Sequence, residues 1–441
     1  MTSTRVTADA EQASRSRMRR LLVDGSAIVV RGLGGIVQFL VILILGRVYG
    51  AEVVGYYGFG IAILVLSGTL LSVGFPGYLV MRNSVRFDEG SHGVFRSNAR
   101  HAAGVSLAVG IGAQLVMIGV LIVAGAWIRD HNVGHRILAW APLTGAAMGV
   151  VLVMTYTLRA RNQALIANVI DRPFLHLITL GAFALLGARV ASQDLRVLFA
   201  IGIGVSATAL VAWAFAFRGL SIGPTTDTAR DPVDTRHLSA YLLSIIVDIV
   251  LARSPLVVGS FFFTAIELGS FQVAFSLAAS VIVLQEALGG IIGPRVAVLA
   301  SRGDVPGVLR LHHRTQLLLV VMVLPLLLGL AFFSEEALVL VNPELGDAAL
   351  ALRILILGIS VRCAAGIYRS IFEATGAMRF AVYTGGVAIA VLLVTITAFA
   401  DQGATGLATA WASATIAHAV VGFVLCEYAL RTGIPKRAEA T

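Results

Sequence analysis

Residues 51–82 read AEVVGYYGFGIAILVLSGTLLSVGFPGYLVMR, and residues 265–302 read AIELGSFQVAFSLAASVIVLQEALGGIIGPRVAVLASR. Each stretch opens near a Glu, Glu52 or Glu267. A Gly follows (Gly55, Gly269), with an aromatic two positions later (Tyr57, Phe271). A long apolar run and a Gly/Pro break complete both stretches. The offset between them is about 214 residues. Each apolar run is near the twenty or so residues a helix needs to cross about 30 Å of hydrocarbon. Recurring in the same sense, the stretch predicts two related parallel halves, an arrangement common in secondary transporters.

The rest of the chain extends the pattern. It has 441 residues, of which 58% are hydrophobic and 13% charged. Its mean hydropathy is +0.89. A soluble chain carries about twice that charged fraction. The apolar residues come as continuous blocks rather than the weak alternation of a membrane barrel. Helical spans are expected at about 23–46, 53–81, 102–127, 137–158, 165–188, 195–217, 238–263, 268–292, 313–334, 347–372, 378–400 and 405–430. The fold class is therefore all-α integral membrane, with about 12 transmembrane helices in two six-helix lobes.

Loop charges orient the spans. Loops on one side, with both termini, hold 22 Lys or Arg, and the other side holds five: Arg47, Arg129, Arg136, Arg189 and Arg196. Basic loops stay in the cytoplasm. Both termini are therefore expected inside, in a multi-pass protein of a bacterial cell membrane. Residues 1–21 read as a basic cytoplasmic arm and 22–217 as the N-lobe. The polar segment 218–237 reads as a linker, 238–430 as the C-lobe and 431–441 as a tail. The net charge of +9 is spread over these loops, so no nucleic-acid groove is indicated. The two cysteines, Cys363 and Cys426, have no CxxC spacing and suggest neither a disulfide framework nor a metal site.

Six basic residues fall inside spans: Arg31, Arg172, Arg253, Arg353, Arg362 and Arg369. An ionised side chain at mid-bilayer costs several kcal/mol, so it should face a watery cavity or a partner. Arg31 and Arg253 occupy the first helix of each lobe, and Arg362 lies in the tenth. They have no obvious local counter-ion. A cavity between the lobes that accepts anionic groups is expected, because arginine stays charged and offers forked donors to phosphate. Gln38 lies on the same helix as Arg31. Asp248 and Glu286 are candidate coupling carboxylates. The pair His312-His313 falls in a basic loop and is expected to be solvated. The chain lacks GxxxxGK[ST], HExxH and GxSxG, so no catalytic residue, metal or cofactor is expected.

The segment RGLGGIVQFLVILILGRVYGAEVVGYYGFGIAILV, from Arg31, resembles the opening of polysaccharide-biosynthesis membrane proteins. These are the O-antigen-type flippases of the multidrug/oligosaccharidyl-lipid/polysaccharide (MOP) exporter superfamily. ELGSFQVAFSL, IIGPRVAVLASRGD, FEATGAMRF and DQGATGLATAWASATIAHAV resemble later segments of the same family, in order, over about residues 22–430. The resemblance implies two lobes around a cavity that alternates its opening. It also implies export of an undecaprenyl-pyrophosphate-linked oligosaccharide, with Arg31 and Arg253 as the cationic contacts. Membrane lipids, a polymerase and glycosyltransferases are the implied partners. A multidrug or cation antiporter of the same superfamily is the alternative. It would place several acidic residues in the first lobe, whereas residues up to 220 hold 19 Arg against 9 acidic residues. A non-transporting membrane enzyme or scaffold is the rival from another class, and the shortage of catalytic loops argues against it.

Overall fold

The computed structural model describes residues 34–220 and 235–432, apart from 162, 188, 191, 376 and a set of positions between 283 and 301. Among the described side chains, those of Arg172, Asp248 and Glu373 are not included. Among the described residues, eight helices are long and apolar enough to cross a membrane, and four shorter apolar helices accompany them. Together they make twelve, in the predicted order.

Span 1 is Gly34–Tyr49. Span 2 is Ala51–Leu71 and resumes as Phe75–Asp88. Spans 3 and 4 are His92–His131 and Ala141–Ala160. Span 5 runs from Ala164–Val169 through a π turn, Ile170–Phe174, into Leu175–Leu186. Span 6 is Gln193–Phe217. Span 7 is Thr235–Gly259 and span 8 opens with Ala265–Ala279. Span 9 is Val305–Phe332. Span 10 is Ala349–Ala364 followed by Tyr368–Thr375. Spans 11 and 12 are Met378–Ala398 and Gly403–Arg431.

The breaks have local causes. Pro173 has no N–H to donate and sits in the π turn of span 5. Span 2, expected as one run, is interrupted where Val73 and Gly74 take φ of 52° and 78°. Positive φ is costly for a β-branched residue and free for glycine. Glycine is also required at 74 because a Cβ there would lie 2.5 Å from the Leu238 carbonyl oxygen of span 7. The Glu before span 8 has a structural job. Glu267 accepts from the Thr264 backbone N–H at 2.8 Å, and Thr264 Oγ1 accepts from Glu267 N–H at 3.3 Å, closing a capping box.

The two lobes share one continuous apolar core, which in the first lobe lies mainly in the half of the membrane predicted to face outward and in the second runs the full depth of the bundle. Val41, Val54, Leu64 and Val151 of the first lobe join Leu256, Leu268, Phe271 and Ala274 of the second. In the opposite half the first lobe has a separate core, around Phe75, Leu79, Met154 and Leu158, which the second lobe joins through Leu238. The lobes are thus joined most extensively on the face predicted to be outer.

An even number of crossings puts both termini on one side, which the arginine count predicts to be the cytoplasm. Reporter fusions after residues 132, 192 and 342 are expected to read as external, and after 92, 162 and 305 as internal. One exchanged pair would show that a span was miscounted.

Candidate functional site

The interface between the lobes is built on spans 2, 7 and 8. Spans 2 and 8 cross with backbone almost on backbone. A Cβ at Gly55 would lie 1.8 Å from the Ala265 carbonyl oxygen, and one at Gly269 would lie 2.0 Å from that of Ala51. Gly55 pairs with Gly269, and Ala51 with Ala265, at the offset of the sequence repeat. The contact is therefore reciprocal, and the pseudo-two-fold relating the lobes passes through it.

Polar ties reinforce this closure. Asn132 Nδ2 donates to Ser260 Oγ at 2.8 Å, and Val133 N–H donates to the Ser260 carbonyl at 3.0 Å. Arg47 Nη1 donates to the Leu340 carbonyl at 2.6 Å, and Asn342 Nδ2 donates to that of Gly46 at 2.9 Å. Every tie joins a loop or helix end of one lobe to the other, on the face predicted to be outer.

Deeper in, Arg253 on span 7 is half-buried and close enough to Tyr57 of span 2 to act on it electrostatically. Tyr57 is buried, with its hydroxyl 2.6 Å from His176 Nδ1 of span 5. Arg253 is also engaged within the protein.

The second lobe has its own polar cluster at the break in span 10. The break frees carbonyls that a continuous helix would satisfy. Gln285 Nε2 of span 8 donates to the Arg362 and Gly366 carbonyls at 3.3 and 3.0 Å. Gln316 Nε2 of span 9 donates to the Ala364 carbonyl at 3.0 Å. Beyond the break, Tyr368 reaches His418 Nδ1 of span 12 at 2.8 Å. Arg362, half-buried in the last turn before the break, and Arg369 just after it both act electrostatically on His418. Broken helices in membranes persist where protein groups re-satisfy the backbone.

The candidate residues separate accordingly. Gln38 is half-buried on span 1. Arg253 and Arg362 act on different tyrosines, Tyr57 and Tyr368. Arg31, and the side chains of Asp248 and Glu286, lie outside the described residues. Arg353 is a tie at the outer end of span 10, its Nε donating to Ser334 Oγ at 2.9 Å. His312 overturns the expectation of a solvated loop. It is 0% exposed on span 9, against Phe423 of span 12, with both ring nitrogens unpartnered among the described residues. His313 is the solvated member, 3.1 Å from Glu427.

No known family profile and no curated protein matches the sequence. Solved structures do match. A multidrug resistance MATE family transporter of the MOP superfamily, in an outward-facing conformation, is 16% identical with a TM-score of 0.62; the match covers 93% of this chain and 96% of that one. The lipid II flippase MurJ, in an inward closed conformation, is 12% identical with a TM-score of 0.62, covering 90% and 87%. A MOP superfamily transporter from Pyrococcus furiosus, described as having a binding pocket of reverse polarity, is 16% identical with a TM-score of 0.59, covering 93% and 94%. At these identities the likeness is one of fold. The chain is a multi-pass membrane protein with the twelve-helix fold of MOP-superfamily transporters.

Proposed function

We propose that the protein moves a lipid-linked oligosaccharide, carried on undecaprenyl pyrophosphate, from the inner to the outer leaflet of a bacterial cell membrane. The lobes would alternate their opening, with both termini in the cytoplasm. The observation that carries this reading is Arg253, a half-buried cation of the second lobe close enough to Tyr57 of the first to act on it electrostatically. A pyrophosphate entering between the lobes would meet a guanidinium able to fork it. The excess of arginine over acidic residues in the first lobe supports an anionic cargo. Arg31, Arg362 and Gln38 are proposed as further cavity contacts, and Asp248 and Glu286 as coupling carboxylates.

A multidrug or cation antiporter is the second reading, favoured by the fold shared with MATE transporters. The two separate in one assay. Proteoliposomes loaded with lipid-linked glycan should show protein-dependent exposure of the glycan to an added glycan-cleaving enzyme. Cation-gradient-driven efflux of a cationic dye, with no glycan exposure, would decide for the antiporter.

A further inference from the structure

We infer that the cytoplasmic end of the first lobe carries a seat for the headgroup of an anionic inner-leaflet phospholipid, formed by Arg96 and Arg100 beside the ring of Phe217. Each guanidinium carbon lies 5.6 Å from the centre of that ring. The ring is set in turn by Trp213, edge-on at 5.1 Å. Two described carboxylates of the first lobe are taken: Glu89 pairs with Arg86 at 2.9 Å and Asp171 with Arg159 at 3.1 Å. Arg161 is used up in capping span 6, donating to the Phe215, Ala216 and Arg218 carbonyls at 3.2, 2.7 and 3.0 Å. Neither Arg96 nor Arg100 meets a carboxylate among the described residues. Contact with a ring leaves the in-plane N–H groups of a guanidinium able to fork a phosphate.

Two further observations point to a lipid. The first is depth. Span 3 has 40 residues, about 60 Å of helix, against a hydrocarbon core of about 30 Å. Its first turns, which hold both arginines, therefore stand in the headgroup region. Trp213, one turn inside the end of span 6 and 38% exposed, has the place of an interfacial aromatic.

The second is where the lipid-facing stripes lead. On span 6 the exposed residues Phe199, Ile203, Leu210 and Trp213 lie within about 40° of one line, and Phe217 ends that line. On span 3 the exposed Leu107, Ile111 and Ile118 follow Arg100 on one face in the same way. An acyl chain lying on either stripe would bring its phosphate to the arginine pair. Basic pockets between helices on the cytoplasmic side suit anionic headgroups. The seat is independent of the cargo.

The test uses the full chain in detergent, titrated with short-chain phosphatidylglycerol and followed by thermal unfolding. The wild type should be stabilised, and zwitterionic phosphatidylcholine or inorganic phosphate at equal concentration should not reproduce the effect. Arg96→Ala with Arg100→Ala should weaken the lipid's apparent affinity roughly 25-fold, on the scale of about 1 kcal/mol for each arginine. Arg129→Ala, on the outer end of the same helix, should leave it unchanged. Should the double variant not fold, photolabelling of wild-type protein with a headgroup-diazirine phosphatidylglycerol should mark peptides holding residues 92–100 and 213–218. Equal affinity of variant and wild type, labelling elsewhere, or equal stabilisation by inorganic phosphate would overturn the assignment. Binding that appears only when Asp227, Asp231 and Asp234 of the adjoining segment are replaced by Asn would also overturn it, making those aspartates the occupant.

Discussion

Gly55→Ala and Gly269→Ala are each expected to raise the labelling of a cysteine placed at Ser260 by a membrane-impermeant maleimide, and to lower transport. The cause is steric. A methyl at either position would lie about 2 Å from a backbone carbonyl oxygen of the opposing span. Backbone cannot swing aside as a long side chain can, so the spans must separate. Overpacking of this kind costs typically 1–3 kcal/mol. Acting only on the outer-closed state, that shifts the balance toward outer-open by roughly 5- to 150-fold. Ser260 is 1% exposed when the face is closed, and Asn132 covers it. The native Cys363 and Cys426 are buried and should give little background. Gly104→Ala is the control, since a Cβ there meets nothing within 4 Å. The reciprocity of the contact makes the prediction strict. The two variants should behave alike, and a difference in labelling between them would mean that the lobes do not close about this axis.

Much of this architecture is legible in the sequence, because the bilayer sets run length and a repeated stretch marks related halves. Both are read along the chain, so twelve spans and a repeat are visible without contacts. The repeat even marked Gly55 and Gly269, although nothing in a linear reading shows that they touch. The polar interior was hidden for the opposite reason. Tyr57 and His176 are 119 residues apart, and Tyr368 and His418 are 50 apart, so neither pair has a local spacing to detect. His312 was misjudged because its neighbours are basic. Span 9 begins at Val305, earlier than its apolar run, and carries His312 beneath Phe423. Arg353 shows the same limit: it falls within a predicted span, yet its structural partners are the Ala331 carbonyl at the end of span 9 and Ser334 just beyond it.

Substitution of Arg253 is expected to impair transport in order of charge rather than size. Arg253→Lys should keep partial activity, Arg253→Ala should lose about 10- to 100-fold, and Arg253→Glu should abolish it, at unchanged protein levels. The scale follows from a hydrogen bond to a charged group, about 1.5–3 kcal/mol, with tenfold for each 1.4 kcal/mol. Because Arg253 is engaged within the resting protein, loss on Arg253→Ala alone could reflect a damaged interface. Lysine separates the two roles. It keeps the charge that attracts a phosphate but not the planar fork that fits one site. A contact serving only the fold would be lost with lysine as with alanine, whereas a cargo contact would be partly rescued. Tyr57→Phe supplies the second arm. It removes the hydroxyl that meets His176 while leaving the cation in place, so export of an anionic cargo should fall less than with Arg253→Ala. If lysine behaves as alanine does and Tyr57→Phe is as damaging as either, Arg253 belongs to the packing of the interface. The cargo's negative charge would then have to be met elsewhere, with Arg31 and Arg362 the next residues to test.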